Sequence, residues 1–419
     1  MMNFTKNNYV WIILITVMLG LPLVFSQSFA LSLMTQMGIA IIFALSYNML
    51  LGQVGLLSFG HAVYYGLGAF FTAHLINWIA SGAFKFPITF VPIFGGLFGM
   101  LFGFLIGVIT TRRPGTPFAM ISLGIAEMVA ASALMFTAFF GGEAGIDTNR
   151  TAGGPMLGVT YGPQIQVYYL VMGWCIFSIV GMYAITRTPL GRMANAVRDN
   201  PERAMFVGYN PTRVRWMSMT LAGFFAGLAG SLYIINYEIV TFETLGILES
   251  GRVVLMAFIG GIGHFWGPII GAVLVTFLQS ALSNYTEAWL LYFGLLFLVI
   301  IMFSPGGIAG LIAKHEPVWR ANMLRQLVPS YAVVSATGGV MLLGFISIIE
   351  MIYHVESAIS GDKPMMLFGV MINPSAGMNS WLVVILLLVV GTSLFVKATR
   401  NVGRVWDELG PVLQEKGVL

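Results

Sequence analysis

The sequence predicts an all-α integral membrane protein: a polytopic helical chain with about 8–11 spans, some of them broken or re-entrant at Gly-rich points. Three observations carry that prediction. The chain is 58% hydrophobic and only 9% charged, whereas a soluble domain carries about 25% charged residues to cover its surface. Apolar runs of about 20 residues recur along it, long enough for a helix to cross the hydrocarbon of a bilayer. The 50 glycines cluster inside those runs, where they either interrupt helices or let them pack closely.

The apolar runs lie near 9–25, 29–51, 58–80, 88–110, 117–140, 165–186, 214–236, 253–283 and 287–303, with two more at 330–353 and 380–397. Lys6 followed by Val10–Phe25 resembles a signal peptide, and "FSQSFA" resembles its cleavage site. A second apolar run begins at once at Phe29, which favours an uncleaved first helix. Arg112 and Arg113 follow the fourth run, an arginine-rich stretch follows the sixth, and Lys6, Lys314, Arg320 and Arg325 flank the main block. The positive-inside bias places all of them in the cytoplasm.

That placement creates a parity problem. Simple crossings at 253–283 and 287–303 would leave Lys314 and Arg320 outside. The run 253–283 would also be about 46 Å long as one helix, too long for a straight span. Its middle reads "GGIGHFWGPIIGA". We therefore expect a broken or re-entrant helix with no net crossing. "GQVGLLSFGHAVYYGLGA" (Gly52–Ala69) has the same texture, a Gly-rich break before a histidine, His61 there and His264 here. Irregular backbone at membrane depth must be buried in protein or line a wet cavity. Matched interruptions in two halves of a transporter point to its pathway. Gln53, Ser58, His61, Gly260, Gly261, Gly263 and His264 are accordingly pathway candidates; the bland alternative is that these glycines serve close packing.

Gly95, Gly99, Gly103 and Gly107 recur every fourth residue, as do Gly223 and Gly227. Such small-residue rows are expected to pack helices against one another. After Pro305 the texture changes: residues 1–313 form the expected core and 314–419 an appendage with one or two further spans, joined by the linker "SGDKPMMLFGVMINPSAGMNS".

Chemistry is sparse. The net charge of +4 is too small and too dispersed for a nucleic-acid partner. Cys175 is alone and mid-span, and the histidines (61, 74, 264, 315, 354) are scattered, so neither a disulfide nor a metal site is expected. There is no P-loop, no nucleophile elbow and no His-Glu-x-x-His. Enzymatic activity is not expected. Glu127, deep in the fifth run, is an acidic group that must face protein or water, or be protonated. It would contact a polar substrate, relay a proton, or bond neighbouring hydroxyls.

One stretch contradicts its surroundings. "GRMANAVRDNPERAMFVGYNPTRVR" (Gly191–Arg215) holds Arg192, Arg198, Arg203, Arg213 and Arg215 between two apolar runs. A helix here projects Arg192, Arg198 and Arg203, and the stretch contains Glu202, Ala204 and Gly208 in a Glu-x-Ala-x-x-x-Gly pattern. The pattern resembles the coupling helix of ABC importers, Glu-Ala-Ala-x-x-x-Gly, with Arg203 in place of the first Ala.

The neighbouring segments extend the likeness. "TPLGRMANAVRDNPERAMFVGYNPTRVRWMSMTLAGFFAGLAGSLY", "GQVGLLSFGHAVYYGLGAFFTAHL", "RRPGTPFAMISLGIAEMV", "GGIGHFWGPIIGAVLVTFL" and "FSPGGIAGLI" occur in order over residues 52–312. Together they resemble the branched-chain amino acid ABC importer permeases, of the LivM-type subunit. The resemblance implies a polytopic helical permease in the bacterial inner membrane, paired with a LivH-type sister permease. Two cytoplasmic ATPase subunits carrying ATP and Mg would complete it, with a periplasmic substrate-binding protein and no cofactor on this chain. It carries the coupling role onto Arg198, Asp199, Glu202, Ala204 and Gly208. "GGEAGIDTNRTAGGP" resembles the family's periplasmic loop but is longer and more polar, and the tail 314–419 departs from the usual ending. Relatives that move urea, amides or aromatic acids keep the substrate open. An ion-coupled secondary transporter using Glu127, or a structural membrane protein, are the remaining classes.

Overall fold

The structure is a computed structural model describing residues 8–83, 85–152, 159–357, 364–374 and 378–415. Lys6, Gly153–Pro155 of the polar loop and parts of the 360–380 linker lie outside those residues. The elements run α1 (Asn8–Val24), α2 (Ser28–Val54), α3 (Ala62–Ala80), α4 (Val91–Thr110), α5 (Thr116–Met135), α6 (Thr137–Phe140), β1 (Ile146–Asp147), α7 (Gln164–Arg187), α8 (Pro189–Asp199), α9 (Pro201–Phe206) and α10 (Pro211–Tyr237). They continue through β2 (Ile239–Val240), α11 (Ile247–Gly260), α12 (Gly267–Ser283), α13 (Trp289–Phe303), α14 (Gly307–Arg320), α15 (Leu324–Ser357), β3 (Met365–Leu367), β4 (Val370–Ile372) and α16 (Met378–Glu415). The chain divides into two compact units: one extends to Tyr285 and includes Tyr292–Leu311, the other comprises Thr286–Leu291 and Ile312 onward.

Of the described helices, 7 are long and apolar enough to cross a membrane, or 8 if α13 and α14 make one bent span. The protein is thus the expected polytopic helical membrane protein. The span count falls at the low end of expectation because α1 and α12 are apolar but short, and the broken regions divide runs that read as continuous.

In the first unit the centre is α10, with 83% of its apolar window buried. It lies against α4 backbone to backbone. A Cβ added at Gly99 would meet the Gly223 carbonyl and the Gly227 backbone; one at Gly223 or Gly227 would meet the carbonyls of Gly99 and Gly95. Gly103 faces the Met219 carbonyl and Gly107 faces the Trp216 ring. On its other side α10 meets α3, where Gly68 abuts Gly227 and the Thr72 and Ser231 hydroxyls bond at 2.6 Å. Lipid tails are as apolar as leucine, so close packing and interhelical hydrogen bonds supply the association here.

Two long helices are followed by irregular backbone and then by a helix that starts inside the protein. α2 ends at Gly55 in the left-handed region (φ 76°), and residues up to His61 are non-helical before α3 begins. α10 ends at Glu238 (φ 59°), passes through β2 and a 3-10 turn at Phe242–Leu245, and resumes as α11. The starts of α3 and α11 meet: the Ser250 hydroxyl accepts from the Ala62 amide at 3.1 Å. α11 then runs to Gly261 (φ 110°), and α12 packs back along it, Gly271 on Met256 and Gly267 on Gly260. The region 253–283 is therefore a helical hairpin broken at Gly261–Trp266, not one straight helix.

Several boundaries differ from the sequence reading. The run 58–80 starts its helix only at Ala62, because residues 55–60 are irregular. The run 117–140 breaks at Phe136 (φ −91°, ψ 65°), giving α5 and the single turn α6. At the end opposite the arginine loop, β1 pairs with β2 (Ile146 with Val240), and the Arg150 amide bonds the Glu238 carboxylate at 2.9 Å.

In the second unit α15 and α16 form an antiparallel hairpin through Gly338 on Phe395, Gly391 on Met341 and Gly344 on Leu388. The segment read as a linker contains the β3–β4 hairpin, turned by Phe368 and Gly369, both at positive φ as a type I′ turn requires. α16 does not stop near residue 397. It continues to Glu415 because Leu409 and Leu413 bury against Val318 and Leu327, giving the charged tail an apolar face.

The glycine contacts generate a direct prediction. Gly99→Leu forces side-chain volume between α4 and α10 and costs about 3 kcal/mol or more, read as a lowered melting temperature in detergent. Gly124→Leu on α5, where an added Cβ meets nothing within 4 Å, leaves melting nearly unchanged.

Candidate coupling loop and helix-break site

The arginine-rich stretch folds into two short helices because each has a polar cap followed by proline. Thr188 caps α8 by accepting from the Gly191 amide, and Pro189 occupies its first turn. Asn200 caps α9 by accepting from the Arg203 amide at 2.9 Å, and Pro201 begins it. Asn210 and Pro211 repeat the pattern at α10, with Asn210 accepting from the Thr212 amide at 3.0 Å. These caps satisfy the free amides at each helix start and stop the stretch from becoming one continuous helix.

The candidate coupling residues occupy different parts of this frame. Arg192, Asp199, Glu202 and Arg203 are exposed, whereas Ala204 is buried and seats α9. Gly208 reverses the chain at φ 91°, and the Tyr209 amide returns to the Ala204 carbonyl at 3.1 Å. Arg198 does not project freely as expected: its Nη1 donates to the Gly52 carbonyl, while its Nε donates to Asp199 at 3.0 Å. It pins α8 to the last turn of α2, and Gly55 has no room for a side chain beside it. Sequence reasoning missed the tip itself. Met205, Phe206 and Val207 are 54%, 91% and 69% exposed, an apolar patch in a basic setting. The signal was present as three adjacent apolar residues inside a charged loop.

The break after α2 leads from this anchor into the interior. Ser58 and His61 are fully buried. Ser58 accepts from the Gly60 amide, and Phe59 donates its amide to Ser122 of α5 at 3.1 Å. The Ser46 hydroxyl donates to the Phe43 carbonyl at 2.7 Å and lies 2.9 Å from His61 Nε2. With the serine proton spent on the carbonyl, His61 donates from Nε2, leaving its sealed Nδ1 as an acceptor without a partner. Gln53 is half-buried, its Oε1 likewise sealed and unpaired.

The second glycine break does not join this cluster. The Ile262 carbonyl lies against Gly52, Phe265 stacks edgewise on Tyr183 and Trp266 on Trp11, which places Gly260, Gly261, Gly263 and His264 at the arginine-loop end. Gly261 is held by a close approach to Gly306 and Gly307, while Gly263 and His264 are exposed. Glu127 is exposed on α5 and has no hydrogen-bond partner among the described residues, because nearby Ser122 and Ser132 bond backbone instead. Among the described residues no group of His, Cys, Asp and Glu is arranged to hold a metal ion. A further pair escaped the sequence reading: Glu249 and Arg252 form an ion pair at 3.0 Å in the first turns of α11. Its signal was the i, i+3 spacing just ahead of an apolar run.

Comparison with known proteins fits this frame. The family model described as "Branched-chain amino acid transport system / permease component" matches residues 29–305. The high-affinity branched-chain amino acid transport system permease protein LivM of Salmonella typhimurium is 27% identical over 316 residues, covering 70% of this chain and 73% of the relative. The LivM protein of Escherichia coli is 27% identical over 291 residues, 64% of this chain and 67% of its own. The ribose import permease protein RbsC of Bacillus subtilis is 28% identical over 153 residues, 33% and 48% of the two chains. No solved structure matches the chain significantly. A multi-pass helical chain matched from residue 29 to residue 305, across both helix breaks and the arginine loop, belongs to the family of permease components of branched-chain amino acid transport systems.

Proposed function

We propose that this chain is the membrane-spanning permease subunit of an ATP-driven importer for branched-chain amino acids in the bacterial inner membrane. It pairs with a LivH-type sister permease, receives substrate from a periplasmic binding protein and is driven by two cytoplasmic ATPase subunits, which hold ATP and Mg. The observation that carries this reading is the α9 tip: a capped helix presenting Met205, Phe206 and Val207 to solvent beside the exposed Glu202 and Arg203, and following α8, which Arg198 anchors to α2. An exposed apolar cluster with a charged rim has the composition of a protein docking hot spot. The branched-chain substrate is favoured because the two LivM proteins match about twice as much of the chain as the ribose permease does.

The chain contributes movement rather than bond chemistry. Closure of the ATPase dimer displaces α9. The displacement passes through α8 and Arg198 to the end of α2, and from there along residues 55–61 to the Ala62–Ser250 junction. ATP shifts the inward- and outward-open populations only if the docked ATPases bind those two states differently.

Two experiments test the parts separately. Phe206→Asp and Glu202→Lys alter exposed groups, so the permease folds and melts normally, while ATPase retention after detergent extraction falls about tenfold or more. Normal retention in both removes α9 as the docking helix. Arg198→Ala leaves retention intact but lowers substrate imported per ATP hydrolysed, measured in proteoliposomes; an unchanged ratio places the mechanical route elsewhere.

A further inference from the structure

The Glu249–Arg252 pair lies where the route just described ends, and that route gives it no task. Its position is set by the adjacent Ser250, whose bond to Ala62 fixes the start of α11 in the protein interior. Arg252 Nη1 donates to both oxygens of Glu249, at 3.0 and 3.4 Å. The remaining edge of the guanidinium, Nε with Nη2, has no hydrogen-bond partner among the described residues, and Nε is sealed from solvent. That planar edge is the one that grips a carboxylate with two parallel bonds.

The surroundings are built of two materials. Tyr65, Tyr233 and Tyr237 crowd one side, with ring centroids 5.7 Å apart for the first two and 4.6 Å for the second two. Ile39, Ala40, Phe43 and Met256 form an apolar wall, with Gln36 at the edge, around a void of about 20 Å³. That void has room for one water, so the site is closed in this conformation. The two side chains are half-buried, 24% and 19% exposed, and a partly screened ion pair adds little stability. In a chain with 9% charged residues it marks a functional position.

We propose that Glu249 and Arg252 form a self-paired transit site for a zwitterionic α-amino acid with an apolar side chain. On opening, Arg252 takes the substrate carboxylate, Glu249 takes its ammonium group, and the side chain lies against Phe43, Ile39 and Met256. Between substrates the two residues neutralise each other and close the path. A neutral sugar supplies neither charge. The proposal rests on the amino-acid importer reading and adds to it the residues that recognise the substrate within the membrane.

The test uses the assembled importer in proteoliposomes: this chain with its sister permease, both ATPase subunits and the binding protein. Leucine is the probe, and leucine imported per ATP hydrolysed is the readout. Glu249→Gln and Arg252→Gln each lower that ratio about tenfold or more, while hydrolysis stimulated by the loaded binding protein persists. Arg252→Lys keeps a charge opposite Glu249 but loses the planar fork, and it too lowers the ratio. Wild-type ratios in the Gln variants overturn the proposal. Full activity in Arg252→Lys also overturns it, since a purely structural pair tolerates lysine. Joint loss of assembly and hydrolysis in every variant overturns it as well. A wild-type complex that imports ribose or urea but not leucine refutes the importer's substrate reading and this proposal with it, a result the variants alone do not produce.

Discussion

The structure of the first unit depends on a contact made without side chains. Gly223 and Gly227 of α10 lie on the carbonyls of Gly99 and Gly95, and Gly68 of α3 closes against Gly227 from another face. Backbones this close allow short-range dispersion and weak Cα–H···O contacts that a leucine interface excludes. The consequence is positional. α10 begins at the arginine loop and ends at β2, so fixing it against α4 and α3 fixes both the α9 tip and the entry to α11.

A second constraint follows from placing helix starts in the interior. Each start leaves free amides that lipid cannot satisfy. Here neighbouring helices supply the start of α3: Ser250 of α11 accepts the Ala62 amide, and Ser122 of α5 accepts the Phe59 amide just before it. The breaks are thus made tolerable by neighbouring helices, and movement of one start changes the hydrogen bonding of the other. Two helix starts tied by a side-chain-to-backbone bond at mid-fold form a joint with a small number of allowed positions.

Much of this was legible in the sequence, and the failures have physical causes. The membrane class, the spacing of the glycine rows and the break within 253–283 follow from period, length and composition, which a bilayer constrains tightly. The equivalence drawn between the two Gly-His segments was too simple. His61 is packed among Phe43, Tyr47 and Tyr64, whereas His264 is exposed at the arginine-loop end. The composition is the same, but the depth is set by what precedes each segment: α2 must turn back upward, while α11 has already descended. Arg198 was read as a projecting charge because spacing gives a face, not a partner, and the Gly52 carbonyl lies far away in sequence. The apolar run at 380–397 ends well before α16 does, because the charges that follow hide Leu409 and Leu413, spaced for one buried stripe.

The two chemically distinct parts of the protein lie at opposite ends of one rigid element. α11 carries Glu249 and Arg252 in its first turns and ends beside Ile262, whose carbonyl abuts Gly52. The Gly52 carbonyl is also the acceptor for Arg198 of the arginine loop. A helix is stiff along its axis over this length, about 20 Å at 1.5 Å per residue. A shift imposed on the end of α2 by α8 is therefore felt at the lower end of α11, and a shift of α11 moves its upper turns against Tyr65, Tyr233 and Tyr237, which belong to α3 and α10. Because α10 is locked to α4 and to α3, in the proposed opening those tyrosines remain in place while Glu249 and Arg252 move past them. Both partners ride on α11, so in the proposed opening the helix shift widens the void beside the tyrosines and rotation of the two side chains parts the pair, with no unfolding and no rearrangement of the glycine interface.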